Sequence, residues 1–254
     1  MATTDSYIRV TRRDGIARIE FFHPQSNSLP SALLGQLADA VRHEGTNPES
    51  RVIILQSGGE KAFCAGASFD ELSSIRTEEQ GRTFFNGFAQ VINACRTSPK
   101  IIIGRVQGKA VGGGVGLAAA TDHCFASEAA SIKLSELAVG IGPFVVGPAV
   151  ERKIGLSAFS TLTLDATEFY PASWAQAHGL YADVFETTAL LDVAVDAFAT
   201  KLAASNTDAL RELKAIFWQG TETWETLLPE RAAISGRLVL SDFAQKAIAA
   251  FKAK

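Results

Sequence analysis

Two glycine-rich stretches and one carboxylate stand out for the chemistry their types and spacing allow. Gly112-Gly113-Gly114 precedes an apolar run that reads as a helix start, and Gly58-Gly59 continues through Ala65-Gly66-Ala67 after the apolar run at 52–56. Glycine lets a ligand approach the backbone closely, and the first amides of a helix are free donors aided by the helix dipole. Two such loops, each following a strand, could aim amides at one anionic oxygen, as an oxyanion hole does. Taken alone, either cluster fits small-residue packing as well. A dinucleotide fingerprint is excluded because Leu117 stands where its third glycine is required. A P-loop is excluded because Ile103 replaces its first glycine and Ala110 its hydroxyl.

The carboxylate is Glu136, at the end of Ser131-Ile-Lys-Leu-Ser-Glu136. Strand alternation places Ile132, Leu134 and Glu136 on one face and Lys133 and Ser135 on the other. A carboxylate in phase with apolar neighbours is partly buried, which raises its pKa and suits a group that takes and returns a proton. A solvated surface glutamate is the competing reading from residue type alone. Asp70 and Glu71, in a short helix after the first glycine loop, read as solvated surface groups. His23, His43, His123 and His178 show no metal-ligand spacing and read as structural, as do Trp174, Trp218 and Trp224. Cys64, Cys95 and Cys124 form no CxxC pair and read as buried free thiols of a reducing compartment.

The surrounding pattern is that of an α/β protein. Residues 7–11 and 16–22 are β-prone runs joined across Asp14-Gly15, a hairpin signal. Leu33, Leu34, Leu37 and Val41 recur at helical spacing, as do Phe84, Phe85, Phe88, Val91 and Ile92. Residues 51–56, 101–106 and 123–126 read as strands between helices, which implies a layered α/β architecture. From Ser157 onward the periodicity is helical throughout.

The chain has 254 residues, with 24 basic and 27 acidic side chains and a net charge of -3. With no basic run to track a phosphate backbone, nucleic acid is not an expected partner. The first residues lack a basic region followed by an apolar one, and no window reaches about 18 apolar residues. The expected setting is cytoplasmic, without a membrane partner.

Lys61-Ala-Phe-Cys-Ala-Gly-Ala67 and Gln107-Gly-Lys-Ala-Val-Gly-Gly-Gly114 together resemble the two signatures of the crotonase (enoyl-CoA hydratase/isomerase) superfamily. His23-Pro24 with Asn27-Ser28-Leu29, and Phe243-Ala-Gln-Lys246 with Phe251, extend the resemblance to both ends of the chain. It implies an α/β crotonase-like spiral of strand-strand-helix units, forming two roughly perpendicular sheets. Residues 1–195 would form this core, and residues 196–254 a C-terminal helical region that supports trimers or hexamers. The implied partner is an acyl-CoA thioester, and no cofactor is expected because coenzyme A is part of the substrate. The amides of Ala67 and Gly113 would bind the thioester oxygen, with Glu136 as the catalytic acid and base. Ser28 and Ala65 would lie near the CoA moiety, and Gly112, Gly116 and Phe144 would contribute to substrate binding. Lys246 and Lys252 could pair with CoA phosphates.

Hydratases of this family hold water between two glutamates, the first lying three residues after the glycine that matches Gly113. Here that position is Gly116, and only the second, Glu136, is present. A single carboxylate suits a proton shift from acyl C2 to C4, converting a 3-enoyl-CoA to a trans-2-enoyl-CoA. Phe144 and Val145 replace the small residues usual in hydratases and resemble the Pro-Phe segment of mitochondrial-type isomerases. Two departures stand against this: Ser68 replaces an aspartate, and Gly116 replaces a larger apolar residue of those isomerases. The glycine would leave space for another substituent or an ordered water. A hydratase, hydrolase or decarboxylase with a non-standard second group is therefore one alternative, and a non-catalytic acyl-CoA-binding protein another.

Overall fold

The computed structural model describes residues 5–252; the first four residues and the side chains of Phe251 and Lys252 lie outside the described residues. β1 (Tyr7–Arg13) and β2 (Ile16–Phe22) form the expected antiparallel hairpin. Both turn residues, Asp14 and Gly15, have positive φ, the requirement of a tight two-residue turn. α1 (Ser31–Thr46) then leads to β3 (Val52–Ser57).

From β3 a strand-strand-helix unit recurs. β3 is followed by β4 (Ala62–Cys64), α2 (Phe69–Leu72) and α3 (Glu78–Thr97). β5 (Ile101–Val106) is followed by β6 (Lys109–Val111) and α4 (Gly113–Ala119). β7 (His123–Ser127) is followed by β8 (Ile132–Lys133), a 3-10 turn over Leu137–Val139 and α5 (Gly147–Leu164). The first strands of these units join a six-stranded sheet and the second strands a separate parallel sheet, β4-β6-β8.

The central strands β3 and β5 are buried along nearly their whole length because both faces of the large sheet are covered. Ile53, Leu55 and Ile102 face the main core, which includes Leu34 and Leu37 of α1 and Phe88 and Ile92 of α3. Val52, Ile54, Ile101 and Ile103 face the opposite side. There they meet Leu191, Val195 and Ala199 of α7 (Thr188–Ala203). This helix is continuous across residues 195 and 196, where the helical region was expected to begin.

The last third departs from the expected all-helical reading. After α6 (Ala172–Ala177), β9 (Asp183–Phe185) extends the large sheet parallel to β7. A strand of this length cannot display a period, and it is set by pairing with β7 and by the contact of Phe185 with Phe125. α8 (Thr207–Phe217), α9 (Trp224–Leu238) and α10 (Asp242–Lys252) complete the chain. Among the described residues, no helix is long and apolar enough to cross a membrane.

Two tertiary contacts fasten these helices. The buried side chain of Asp122 accepts from Lys214 Nζ and Trp218 Nε1 at 2.7 Å each, and from the amide of Ile102, tying α8 to the large sheet. α3 and α9 cross at Gly81 and Gly236, where a Cβ added to Gly81 would lie 2.7 Å from the Gly236 Cα. Helix propensity favours alanine over glycine by about 1 kcal/mol, but overpacking a tight contact costs about 1–3 kcal/mol. Gly81→Ala is therefore expected to destabilise the protein in urea denaturation. Gly35→Ala, on α1 where nothing lies within 4 Å of the added carbon, is expected to stabilise it. The same sign for both would refute a packing-limited crossing.

Candidate active site

The ends of β4, β6 and β8 meet around a cavity of about 60 Å³. The loop after β4 is strung beside α1's entry segment: Leu29 N–H donates to Gly66 O at 2.8 Å, and Ser68 N–H to Leu29 O at 3.2 Å. This pairing uses the Gly66 carbonyl and the Ser68 N–H, on either side of Ala67, and leaves the Ala67 N–H free. Gly66 has φ +88°, and a Cβ there would lie 2.8 Å from Val111 O and 3.4 Å from Gly113 N. The loops after β4 and β6 thus touch through backbone.

Gly112 adopts φ 52° and ψ -114°, which turns the chain from β6 into α4. Its N–H donates to Lys133 O at 2.8 Å, and its carbonyl accepts from the amides of Val115 and Gly116. Gly113 is then the first residue of α4, with no intrahelical acceptor for its N–H. Among the described residues, neither the Ala67 nor the Gly113 amide has a hydrogen-bond partner, and both residues line the cavity. Phe88 of α3 packs on Gly113 so closely that a Cβ would lie 2.2 Å from its ring.

Glu136 reaches the same cavity by a route that strand alternation did not describe. β8 ends at Lys133, and Glu136 has right-handed helical angles at the start of the 3-10 turn. Alternation therefore accounts for buried Ile132 and Leu134, while a turn aims the carboxylate. Oε2 is buried without a hydrogen-bond partner. The space that a Cβ on Gly112 would take lies 2.8 Å from Oε1. Burial pushes the Glu136 carboxyl up to about 7, because the apolar surroundings penalise its charged form. Among the described residues that line the cavity it is the only ionisable side chain; Leu72, Phe85, Phe88, Val139 and Ile141 supply apolar surface.

Ala65, Ala67, Gly112, Gly113, Glu136 and Phe144 thus share one cavity. Gly116 does not. It is buried in α4, and a Cβ there would lie 2.4 Å from Val146 Cγ1. The space expected beside this glycine is filled by Val146, which itself lines the cavity. Ser28 lies outside the cavity lining, buried behind the loop, with its Oγ 3.3 Å from His23 Nδ1. Glu71 is no free surface group: its carboxylate accepts from Ser31 N and Oγ and caps α1. Asp70 is exposed and accepts from Gln25. The four histidines stand outside the cavity lining. Lys246 is exposed on α10, and the Lys252 side chain lies outside the described residues.

Val146 and Ser235 were not singled out in the sequence. Val146 adjoins the Phe144-Val145 pair, so its place in the same segment was a usable signal. Ser235 enters the lining from α9 through tertiary packing alone. The C-terminal helices also brace the segment over the cavity, since Phe243 of α10 packs against Gly140.

Comparison with known proteins agrees with this architecture. The chain is 29% identical to the 2,3-dehydroadipyl-CoA hydratase of Escherichia coli (strain K12), over 85% of this chain and 84% of that one. It is 31% identical to the peroxisomal Δ3,5-Δ2,4-dienoyl-CoA isomerase of Arabidopsis thaliana, over 80% and 77% of the two chains. The crystal structure of enoyl-CoA hydratase from Bacillus halodurans shares the fold, with a TM-score of 0.88 at 22% identity over 96% of this chain and all of that one. Residues 11–254 match the family described as enoyl-CoA hydratase/isomerase, and the chain belongs to that family, the crotonase superfamily.

Proposed function

We propose that the protein isomerises a 3-enoyl-CoA to a trans-2-enoyl-CoA. The observation that carries this reading is a lone carboxylate, one of whose oxygens is buried without a partner, in an apolar cavity that also presents two free backbone amides. Glu136 removes a proton from C2, and the electron pair moves toward the thioester oxygen. The Ala67 and Gly113 amides hold the resulting dienolate oxygen, and each such donor is worth roughly 100 to 1,000-fold in rate. Glu136 then returns the proton to C4, leaving the double bond between C2 and C3. Val146 in the space beside Gly116 supports proton transfer over hydration, because a water activated by a second group has no seat there. Ala65 would lie along the CoA moiety. Assembly into a trimer or hexamer belongs to the same proposal, and sedimentation tests it.

The direct test incubates wild type and Glu136→Gln with 3-hexenoyl-CoA and with crotonyl-CoA. Wild type is expected to form 2-hexenoyl-CoA without appreciable hydration of crotonyl-CoA. The variant is expected to lose about 100 to 10,000-fold of that rate, the usual contribution of a positioned acid-base group. Hydration by wild type would replace this reading with a hydratase, and turnover of neither substrate would point to another acyl-CoA reaction or to binding alone.

The raised pKa has two pH consequences. A base must be unprotonated, so kcat/KM is expected to rise with pH up to about 7 and level above it. A pH-independent profile would exclude Glu136 as the base. Stability runs the other way. The folded state keeps the proton that the unfolded state releases from its ordinary value of 4.5 upward, so this contribution is lost as pH rises from 4.5 to about 7. At about 1.4 kcal/mol per pKa unit, Glu136→Gln is expected to be more stable than wild type at pH 8 by roughly 3 kcal/mol. The gain should shrink toward zero near pH 4, as measured by urea denaturation.

A further inference from the structure

We infer that this site takes short acyl chains and that Phe144 is the partition that sets their length. The inference rests on the acyl-CoA reading above and adds the class of substrate. The cavity is small for a ligand site, since a dry cavity of roughly 150 Å³ holds a single benzene ring. The space of about 60 Å³ therefore suits a short acyl chain rather than a long one. Of its lining, Leu72, Phe88, Val145 and Val146 are buried, and Val146 is backed by the α4 backbone at Gly116.

A second hollow of about 220 Å³ lies on the other side of Phe144. Pro143 and Phe144 line both spaces, so this pair is what the two have in common. The outer hollow runs along α5, past Gly147, Phe159 and Thr163, where the buried Thr163 Oγ1 has no hydrogen-bond partner. Phe144 is held in place from below. Gly142 has φ +120°, and a Cβ there would lie 2.7 Å from the Phe144 ring. With the ring seated on bare backbone, the inner cavity ends at Phe144, and without the ring it would open into the outer hollow.

The test is calorimetric titration of the full chain with saturated, unreactive acyl-CoAs from acetyl to decanoyl. Wild type is expected to bind about fourfold more tightly for each added methylene up to about hexanoyl, the ~0.8 kcal/mol worth of a buried methylene. Decanoyl-CoA is expected to bind at least tenfold more weakly than hexanoyl-CoA. Phe144→Ala, compared with its own butyryl-CoA affinity, is expected to continue tightening through decanoyl. Phe144→Leu, a gentler change, is expected to break at an intermediate length. Continued tightening through decanoyl-CoA in wild type overturns the inference. So does an unmoved break in both variants. Those results would leave the acyl-CoA reading standing, whereas failure of every acyl-CoA to bind would overturn both.

Discussion

The N-terminus of α4 lies against the loop after β4 at a separation that no side chain permits. A Cβ on Gly114 would lie 2.4 Å from Cys64 O, and one on Gly66 would lie 2.8 Å from Val111 O. This backbone-to-backbone contact brings the amides of Ala67 and Gly113 to one cavity, although the loops that carry them follow strands of different repeat units. The same contact fixes the turn at Gly112, against which the Glu136 carboxylate rests. Donors and base are thus positioned by one constraint, the absence of side chains along a single seam. Backbone donors need no rotamer to be selected, so the rigidity of the seam passes directly to the site.

Holding an unpaired carboxylate in an apolar cavity opposes folding once the group is charged. The rest of the molecule offsets that cost with order elsewhere. Both faces of the large sheet are covered, by α1 and α3 on one side and α7 on the other. The Asp122 carboxylate is also buried, yet it is fully engaged by Lys214, Trp218 and a backbone amide. The contrast between these two acids separates a structural role from a chemical one. Asp122 is satisfied and serves to dock a helix, whereas Glu136 is left with an unsatisfied oxygen facing the place where a substrate would lie.

The segment from Gly140 to Val146 closes the cavity, and its shape depends on contacts on both of its sides. Below it, Val146 occupies the space that Gly116 leaves open, so the two positions compete for one volume. Beside it, Gly140 receives Phe243 of α10. The C-terminal helices therefore take part in shaping the site, through Ser235 and Phe243, while the donors and the base come from the strand units.

Much of the fold was legible in local patterns. The apolar runs of β3 and β5, the Asp14-Gly15 turn and the helical stripes of α1 and α3 each follow from a period or a turn residue that a few neighbours define. The paired glycine signatures, with Glu136 following at its motif distance, pointed to the family that the comparisons then established. β9 was not legible because three residues carry no period, and only the exposed edge of β7 makes them a strand. Glu71 read as a surface acid because its partner, Ser31, is forty positions away. Gly116 read as open space because sequence records an absent side chain but not the neighbour that moves in. Residue types and spacing thus determined which chemical groups this protein has and which elements carry them. Tertiary structure alone decided which groups meet, which stay unsatisfied and what fills the gaps, because those depend on distances between residues remote in the chain.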